Sequence, residues 1–491
     1  MRTFIITLLL LFSLGVNSYS QSKHEIRATW LTTLGGMDWP RQKATNATSI
    51  DKQKKELCNL LDKLKEANFN TILLQTRLRG DVIYPSSYET FSECLAGRTG
   101  QNPGYDPLAF AVDECHKRGM EIHAWIVTIP IGNNRQVKLL GRNSVVSRHR
   151  KMCRQHDGSW YLDPGNPETK DYLAGMVREI VEKYDVDGIH LDYIRYPEKA
   201  ESFPDRDTYR RYGKGRNIKD WRRDNITEIV RRIYGEVKRS KPWVKVSSSP
   251  VGKYMDTERF SSKGWNAYNI VYQDAQGWLK EGIQDILFPM MYFNGNNFYP
   301  FALDWKENKG SRWVVPGLGI YFLSPSEKNW PLDEISRQIY FTRKYGLDGQ
   351  AYFRTQFLLN DTKQLFSELK ENVYNYKSLI PPMVWADSIP PTSPVIGSVK
   401  SKKDSFIMEW TPSTDNTGLP VRYVLYGSNS FPVDINKASN IIESYIDGNS
   451  YLYRPVNPWN SKVYFAVTAI DRYGNESLPL HLNEKISIKC N

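Results

Sequence analysis

At 491 residues the chain has room for two or three domains, and its hydrophobic fraction of 40% suffices for large cores. A net charge of +12 fits an anionic partner, but the basic residues are spread along the chain rather than clustered, which argues against nucleic acid. Five cysteines (Cys58, Cys94, Cys115, Cys153 and Cys490) without Cys-x-x-Cys spacing indicate neither a zinc site nor a disulfide framework, although Cys94 and Cys115 could pair in an oxidising compartment.

Residues 1–20 read as a signal peptide: Arg2 carries the charge, Phe4 to Val16 form the apolar core, and Ser18 and Ser20 precede Gln21. That run is too short for a transmembrane helix and no other is long enough, so a periplasmic or secreted protein without a transmembrane anchor is expected. Strands are expected at 25–32, 71–77, 121–127, 187–192, 244–249, 285–292, 313–320 and 349–354, each a short apolar or alternating run. Between them, helical spacing covers 51–68, 106–118 with Gly119 as its cap, a start at Asn166-Pro167, 220–240, 268–281, a short helix within 302–308, and 333–345; 362–373 closes the set. Eight strands alternating with helices predict an α/β fold, a (β/α)8 TIM barrel over 24–378. Residues 379–394, rich in Pro and Ser, read as a linker. In 395–491 the character changes to short alternating strands around Trp410, Tyr423–Tyr426 and Tyr464–Ala469, a sandwich resembling a fibronectin type III domain.

The candidate chemistry gathers on Asp187-Gly-Ile-His-Leu-Asp192-Tyr-Ile-Arg-Tyr196-Pro197. At about 3.3 Å per residue, Asp187 and Asp192 stand roughly 16 Å apart at opposite ends of a strand. In a parallel barrel chemistry sits at the C-terminal end and stability at the other, so Asp192 is the chemical candidate and Asp187 the structural one. By the two-residue period His190 shares the face of Asp192, Gln75 that of Arg77, and His123 that of Trp125. Thirty Tyr and fourteen Trp are more than cores need, and aromatic rings serve as stacking platforms in sugar clefts.

Several segments resemble the glycosyl hydrolase-like 10 family of bacterial envelope proteins. They are Glu25-Ile-Arg-Ala-Thr-Trp-Leu-Thr, Phe69 to Asp81 with Tyr84-Pro-Ser, Tyr105-Asp-Pro-Leu-Ala-Phe, His116 to Trp125, Trp160-Tyr-Leu-Asp-Pro-Gly165, and Tyr184 to Pro197, in chain order from 24 to about 375. The resemblance implies an exported glycosidase acting on envelope glycan, including peptidoglycan strands stripped of their stem peptides. Many relatives carry two successive acids at the end of strand four; the second is Tyr193 here, so only Asp192 carries over.

Glycoside hydrolysis needs an acid for the leaving oxygen and a group on the opposite face for the oxocarbenium-like centre. Asp192 is expected to be the acid. Asp81, in the run Arg77-Leu-Arg-Gly-Asp81, is the first choice for its partner and Asp304 the second, since Gly319-Ile-Tyr321 after strand seven brings no carboxylate. A third route lets the sugar's acetamide attack, as in chitinases; Asp187-Gly188 and Asp192 follow the chitinase pattern, but Ile194 stands where its Glu would be, and Tyr292 could hold the acetamide. Gln75, Arg77, His123 and His190 are expected to bind or orient the sugar, and Trp125, Tyr292 and Tyr321 to stack on it, with Tyr352 read as core. No metal or other cofactor is expected: there is no close ligand spacing and no nucleotide, flavin or haem motif. The rival readings are a glycan-binding protein on a degenerate barrel and a glycosidase for plant or host polysaccharide.

Overall fold

The structure is a computed structural model that describes residues 21–402, 405–454 and 464–481. The signal-peptide reading and Cys490 lie outside these residues. The first part of the chain forms β1 (Ile26–Leu31), β2 (Thr71–Arg77), β3 (Glu121–Val127), β4 (Pro130–Asn133), β5 (Cys153–His156), β6 (Ser159–Leu162), β7 (Gly188–Asp192), β8 (Lys245–Ser248), β9 (Ile286–Leu287), β10 (Trp313–Val314), β11 (Gly317–Leu318) and β12 (Gly349–Tyr352). Nine of these make one parallel sheet in the order β10-β9-β8-β7-β3-β2-β1-β12-β11. Its two end strands, β10 and β11, are separated only by Val315 and Pro316, so both ends of the sheet lie on one segment. The nine strands are therefore eight staves of a closed barrel. The single strand expected at 313–320 is interrupted at Pro316, which has no N–H to donate, while the segment bonds the chain of β9 on one side and that of β12 on the other.

The helices follow from local signals. Asn166 caps the helix Pro167–Lys183 by accepting from the Glu168 amide, and Pro167 fits its first turn, where an N–H would be unpaired. Leu173, Met176, Val177 and Ile180 recur at helical spacing and bury against the sheet and the helix Ile218–Ser240. The helix expected at 268–281 is instead two, Ala267–Ile270 and Ala275–Glu281, parted where Tyr272 adopts φ 56°. The break brings buried Gln273 inward, where it accepts from the Val251 amide and donates to the Ile194 carbonyl, tying together the exits of β7 and β8.

The long polar, basic excursion between β3 and the helix at Pro167 forms the antiparallel sheet β4-β6-β5 beside the barrel mouth. Seven further strands follow: β13 (Ile396–Lys402), β14 (Ser405–Trp410), β15 (Arg422–Ser428), β16 (Ile441–Ile446), β17 (Ser450–Tyr453), β18 (Tyr464–Ile470) and β19 (Leu480–His481). They make two antiparallel sheets, β13-β14-β17 and β16-β15-β18-β19, around Met408, Trp410, Leu425, Phe465 and Val467. The first residues of the stretch read as a linker are packed, and those from Val384 to Pro390 are mostly exposed. Ile380 and Met383 join the barrel's interior core with Tyr473 of the sandwich, and the Trp385 indole donates to Asp285 at 3.0 Å. The sandwich thus closes the N-terminal end of the barrel. Cys58, Cys94, Cys115 and Cys153 are free thiols, so Cys94 and Cys115 do not pair.

Candidate active site

The barrel's C-terminal end opens into a cleft of about 580 Å³. Asp192, the last residue of β7, lines it and is 6% exposed. Its backbone carbonyl accepts from the Thr128 amide and hydroxyl, which pins the strand end. Its Oδ1 accepts from Ser249 Oγ at 2.7 Å and the Tyr193 amide at 2.8 Å, and its Oδ2 from Trp125 Nε1 at 3.1 Å. Burial pushes the carboxyl above its ordinary value, against these donors and the nearby Arg195 charge. Tyr193 turns into the left-handed region (φ 51°) and its ring stands at the cleft. A carboxyl held up in this way, facing an open cleft, can deliver a proton.

Below it lies a floor of rings. Trp30 Nε1 donates to His190 Nε2 at 3.1 Å, which leaves Nδ1 as the protonated nitrogen, donating to Ser247 Oγ at 3.0 Å. Burial drives His190 far below the usual histidine range, so the ring is neutral. It contacts Trp125 edge-on and does not line the cleft; its expected contact with sugar is replaced by support of the two tryptophans. His123 sits a layer deeper, opposite Gly188 in register, with its Nε2 3.4 Å from Glu121. It is fully buried and does not reach the cleft.

Arg77 corrects the face argument most directly. The pairing of β2 with β3 slips between Gln75 and Arg77: Gln75 opposes Trp125 but Arg77 opposes Ile126. This bulge inserts one residue and reverses the parity, so Gln75 faces the barrel interior and Arg77 the outer layer. Gln75 lines the cleft and accepts from the Thr33 and Leu34 amides. Arg77 is fully buried, clamped on both oxygens of Glu89 at 2.7 and 2.8 Å and on the Thr128 carbonyl.

Trp125 and Tyr292 line the cleft as expected positions. Tyr292 stacks on Phe353 at 5.4 Å between ring centres, and Tyr321 meets it edge-on at 5.8 Å without lining the cleft itself. Burial and the Asp192 charge raise the Tyr292 hydroxyl well above the usual range. Tyr352 bonds Tyr374 in the core, 2.7 Å between hydroxyls. Asp81 does not line the cleft; it accepts from the Arg79 amide in the turn after β2, and burial lifts it to about 6. Asp304, on the helix Tyr299–Glu307, accepts from Gln276 and is likewise outside the cleft. The other cleft carboxylates are Asp157, which pairs with Lys199 at 3.0 Å, and Glu198; both are exposed.

Sequence reasoning missed Trp30, Ser249, Arg79, Arg195 and the wall of Trp160 and Tyr161. Ser249 and Trp30 could have been found at strand ends by the argument applied to Asp192. Trp160 and Tyr161 come from an excursion with no repeating pattern to read.

The sequence profile of the glycosyl hydrolase-like 10 family matches residues 25–324, a span that runs from β1 past β11 and contains Asp192. The chain belongs to that family. It is accordingly a glycoside hydrolase, and similarity to curated proteins agrees. Glycosyl hydrolase YngK of Bacillus subtilis (strain 168) is 31% identical over 482 residues, covering 93% of each chain. Glycosyl hydrolase DigH of Escherichia coli (strain K12) is 32% identical over 292 residues, 56% of this chain and 66% of that one. Among solved structures, the PgaB (BpsB) glycoside hydrolase domain from Bordetella bronchiseptica aligns at TM-score 0.47 and 12% identity over 70% of this chain and 98% of that one, a likeness too slight to weigh.

Proposed function

We propose that the protein is an exported glycosidase that cleaves an amino-sugar glycan, the glycan strands of peptidoglycan, with Asp192 as the general acid. The raised, buried carboxyl of Asp192 at the floor of the cleft carries the reading. In the forward step its proton passes to the glycosidic oxygen as the C1–O bond breaks, and positive charge develops on the sugar ring. The indole of Trp125 and the hydroxyl of Ser249 then stabilise the carboxylate left behind.

For the opposite face the favoured route is attack by the sugar's own acetamide, with Tyr292 positioning it. Its support is that the only buried carboxylate of the cleft is Asp192, while Asp157 and Glu198 lie on the solvated rim, among the described residues. An acetamide nucleophile requires a 2-acetamido sugar, which is why an amino-sugar polymer fits best. The second reading gives Glu198 the role of base for water. The sheet orders β13-β14-β17 and β16-β15-β18-β19 support a fibronectin type III-like identity for the sandwich, and residues 1–20 support export.

The test is mass spectrometry of products from purified protein incubated with peptide-free peptidoglycan strands, beside Asp192→Asn. Short muro-oligosaccharides formed only by the unaltered protein are expected. No product from either would remove peptidoglycan as the substrate, and equal product from both would remove Asp192 as the acid.

A further inference from the structure

Among the described residues, the cleft holds a buried cation without an ion-pair partner. Arg195 lies three residues beyond Asp192, lines the cleft and is 7% exposed. Its Nε has no hydrogen-bond partner, and its Nη1 reaches only the Tyr196 carbonyl, at 3.4 Å. Its guanidinium carbon lies 4.9 Å from the centre of the Tyr193 ring. Other buried arginines of the chain are matched by acids: Arg27 by Glu25, Arg77 by Glu89 and Arg222 by Asp205. A guanidinium withdrawn from water without such a partner is costly, and a site that tolerates that cost is shaped for an anion from outside.

Arg79 adds a second charge. It is exposed, lines the same cleft from the turn after β2, and has no ion-pair partner among the described residues. Burial and Asp192 push the Tyr193 hydroxyl up, while Arg195 and Arg79 both draw it down, so the two cations share one neighbourhood. Glu198 acts there too, but it is a solvated rim group that pairs with neither. Asp192 does not serve as the counter-ion in its proton-donating form.

We propose that Arg195, assisted by Arg79, binds a carboxylate carried by the sugar seated at Asp192, which makes an acidic glycan the substrate. The inference rests on the cleft being the glycan site described above. A planar carboxylate matches the two-pronged face of a guanidinium, which neither a hydroxyl nor a neutral acetamide does. Two sources share this chemistry: the ether-linked lactyl group of a muramic acid unit whose peptide has been removed, and the C6 carboxylate of a hexuronic acid.

The experiment compares initial rates on peptide-free peptidoglycan strands with their carboxylates intact or reduced to alcohols. The enzymes are the unaltered protein, Arg195→Gln, Arg195→Lys and Arg79→Gln. Carboxyl reduction and Arg195→Gln should each raise KM by about 10- to 100-fold with little change in kcat, and together should do no more than either alone. Arg195→Lys should recover part of the loss on intact strands only. Equal KM on intact and reduced strands overturns the subsite. If Arg195→Gln melts before assay temperature, Arg79→Gln, altered at an exposed position, must show a smaller loss confined to the carboxylated strands. If the unaltered protein cleaves no peptidoglycan, the same variants are tested for retention on polygalacturonate and its carboxyl-reduced form. Retention that needs both Arg195 and the carboxylate then upholds the subsite while the peptidoglycan reading falls. Absence of carboxylate dependence on both polymers discards the subsite itself.

Discussion

Asp187 and Asp192 stand at the two ends of β7 and differ in almost everything except residue type. Asp187, at the base, accepts from His116 Nε2 and from the Ile122 amide, each at 2.9 Å. His116, Arg472 and Arg422 hold its carboxyl below the ordinary range although burial opposes them. Around it the base carries further ion pairs: Lys245 with Glu121, Arg343 and Arg27 with Glu25, Arg472 with Asp185. Asp192, at the mouth, is given neutral donors and the charge of Arg195 without an ion pair, and burial wins. One strand thus separates two tasks: counter-ions at the base stabilise the fold, and their absence at the mouth leaves a carboxyl that can keep its proton.

Asp192→Asn should produce the largest effect, since it removes the proton donor. Turnover should fall by about 10²- to 10⁴-fold while substrate binding persists. Stability should not fall with it. A carboxyl whose folded pKa is raised binds its proton more readily folded than unfolded, so its contribution declines as pH rises through that window. Where Asp192 is ionised, its burial is a burden on the fold, and the amide removes it. The kcat/KM profile should accordingly lose activity on its alkaline side as Asp192 ionises. A melting temperature well below that of the unaltered protein would show that the mouth is built for stability after all.

Asp187→Asn tests the other end. Here the folded pKa is depressed, so the stability is present above the unfolded value of about 3.8 and is lost as pH falls toward the folded one. Breaking such a buried pair should lower stability by about 3 kcal/mol at neutral pH, with activity per folded molecule unchanged. Denaturant melts at pH 7 and pH 3 would check this. The gap between variant and unaltered protein should narrow at the lower pH.

Tyr292→Phe comes next and sharpens the reading of the mouth. It removes one hydroxyl from a ring whose stacking on Phe353 is retained. If the hydroxyl positions an acetamide, kcat should drop about 10-fold, roughly 1.4 kcal/mol, with no change in melting temperature. Unchanged kcat on an acetamido substrate would leave the ring as packing alone and favour the water route through Glu198.

The same contrast governs what could be read in advance. Strands 71–77 and 121–127 match the structure residue for residue, because apolar alternation and a buried sheet are the same physical fact. Asp192 was legible because a barrel strand exits where chemistry sits. Arg77 was misplaced because a bulge is a one-residue event with no compositional trace, and parity reverses beyond it. The wall formed by β4, β5 and β6 was illegible because short strands in a polar loop carry too few apolar positions for a period to show. Arg195 was passed over because its meaning lies in the partner it lacks, and only a structure reveals that. The packed segment around Met383 and Trp385 read as a linker because its prolines suggested extension, whereas its apolar side chains meet the barrel's open base.

Arg472→Ala should have the smallest effect and bears on how the base is closed. Arg472 spans from the sandwich to Asp185 at 2.6 Å and lies over the Trp243 ring, but Asp185 is half exposed and water screens the pair. If the sandwich is held by the apolar contact of Tyr473 with Ile380 and Met383, the loss should be under about 1 kcal/mol and should shrink further at high salt. Replacing Tyr473 by Ala should then cost more, about 3 kcal/mol for a large buried ring, and should be insensitive to salt. The reverse ranking in thermal melts would mean that charge rather than apolar burial fastens the base. Because Arg472 also helps to depress Asp187, that outcome would make the two ends of β7 differ by a single shared network instead of by separate packing and pairing.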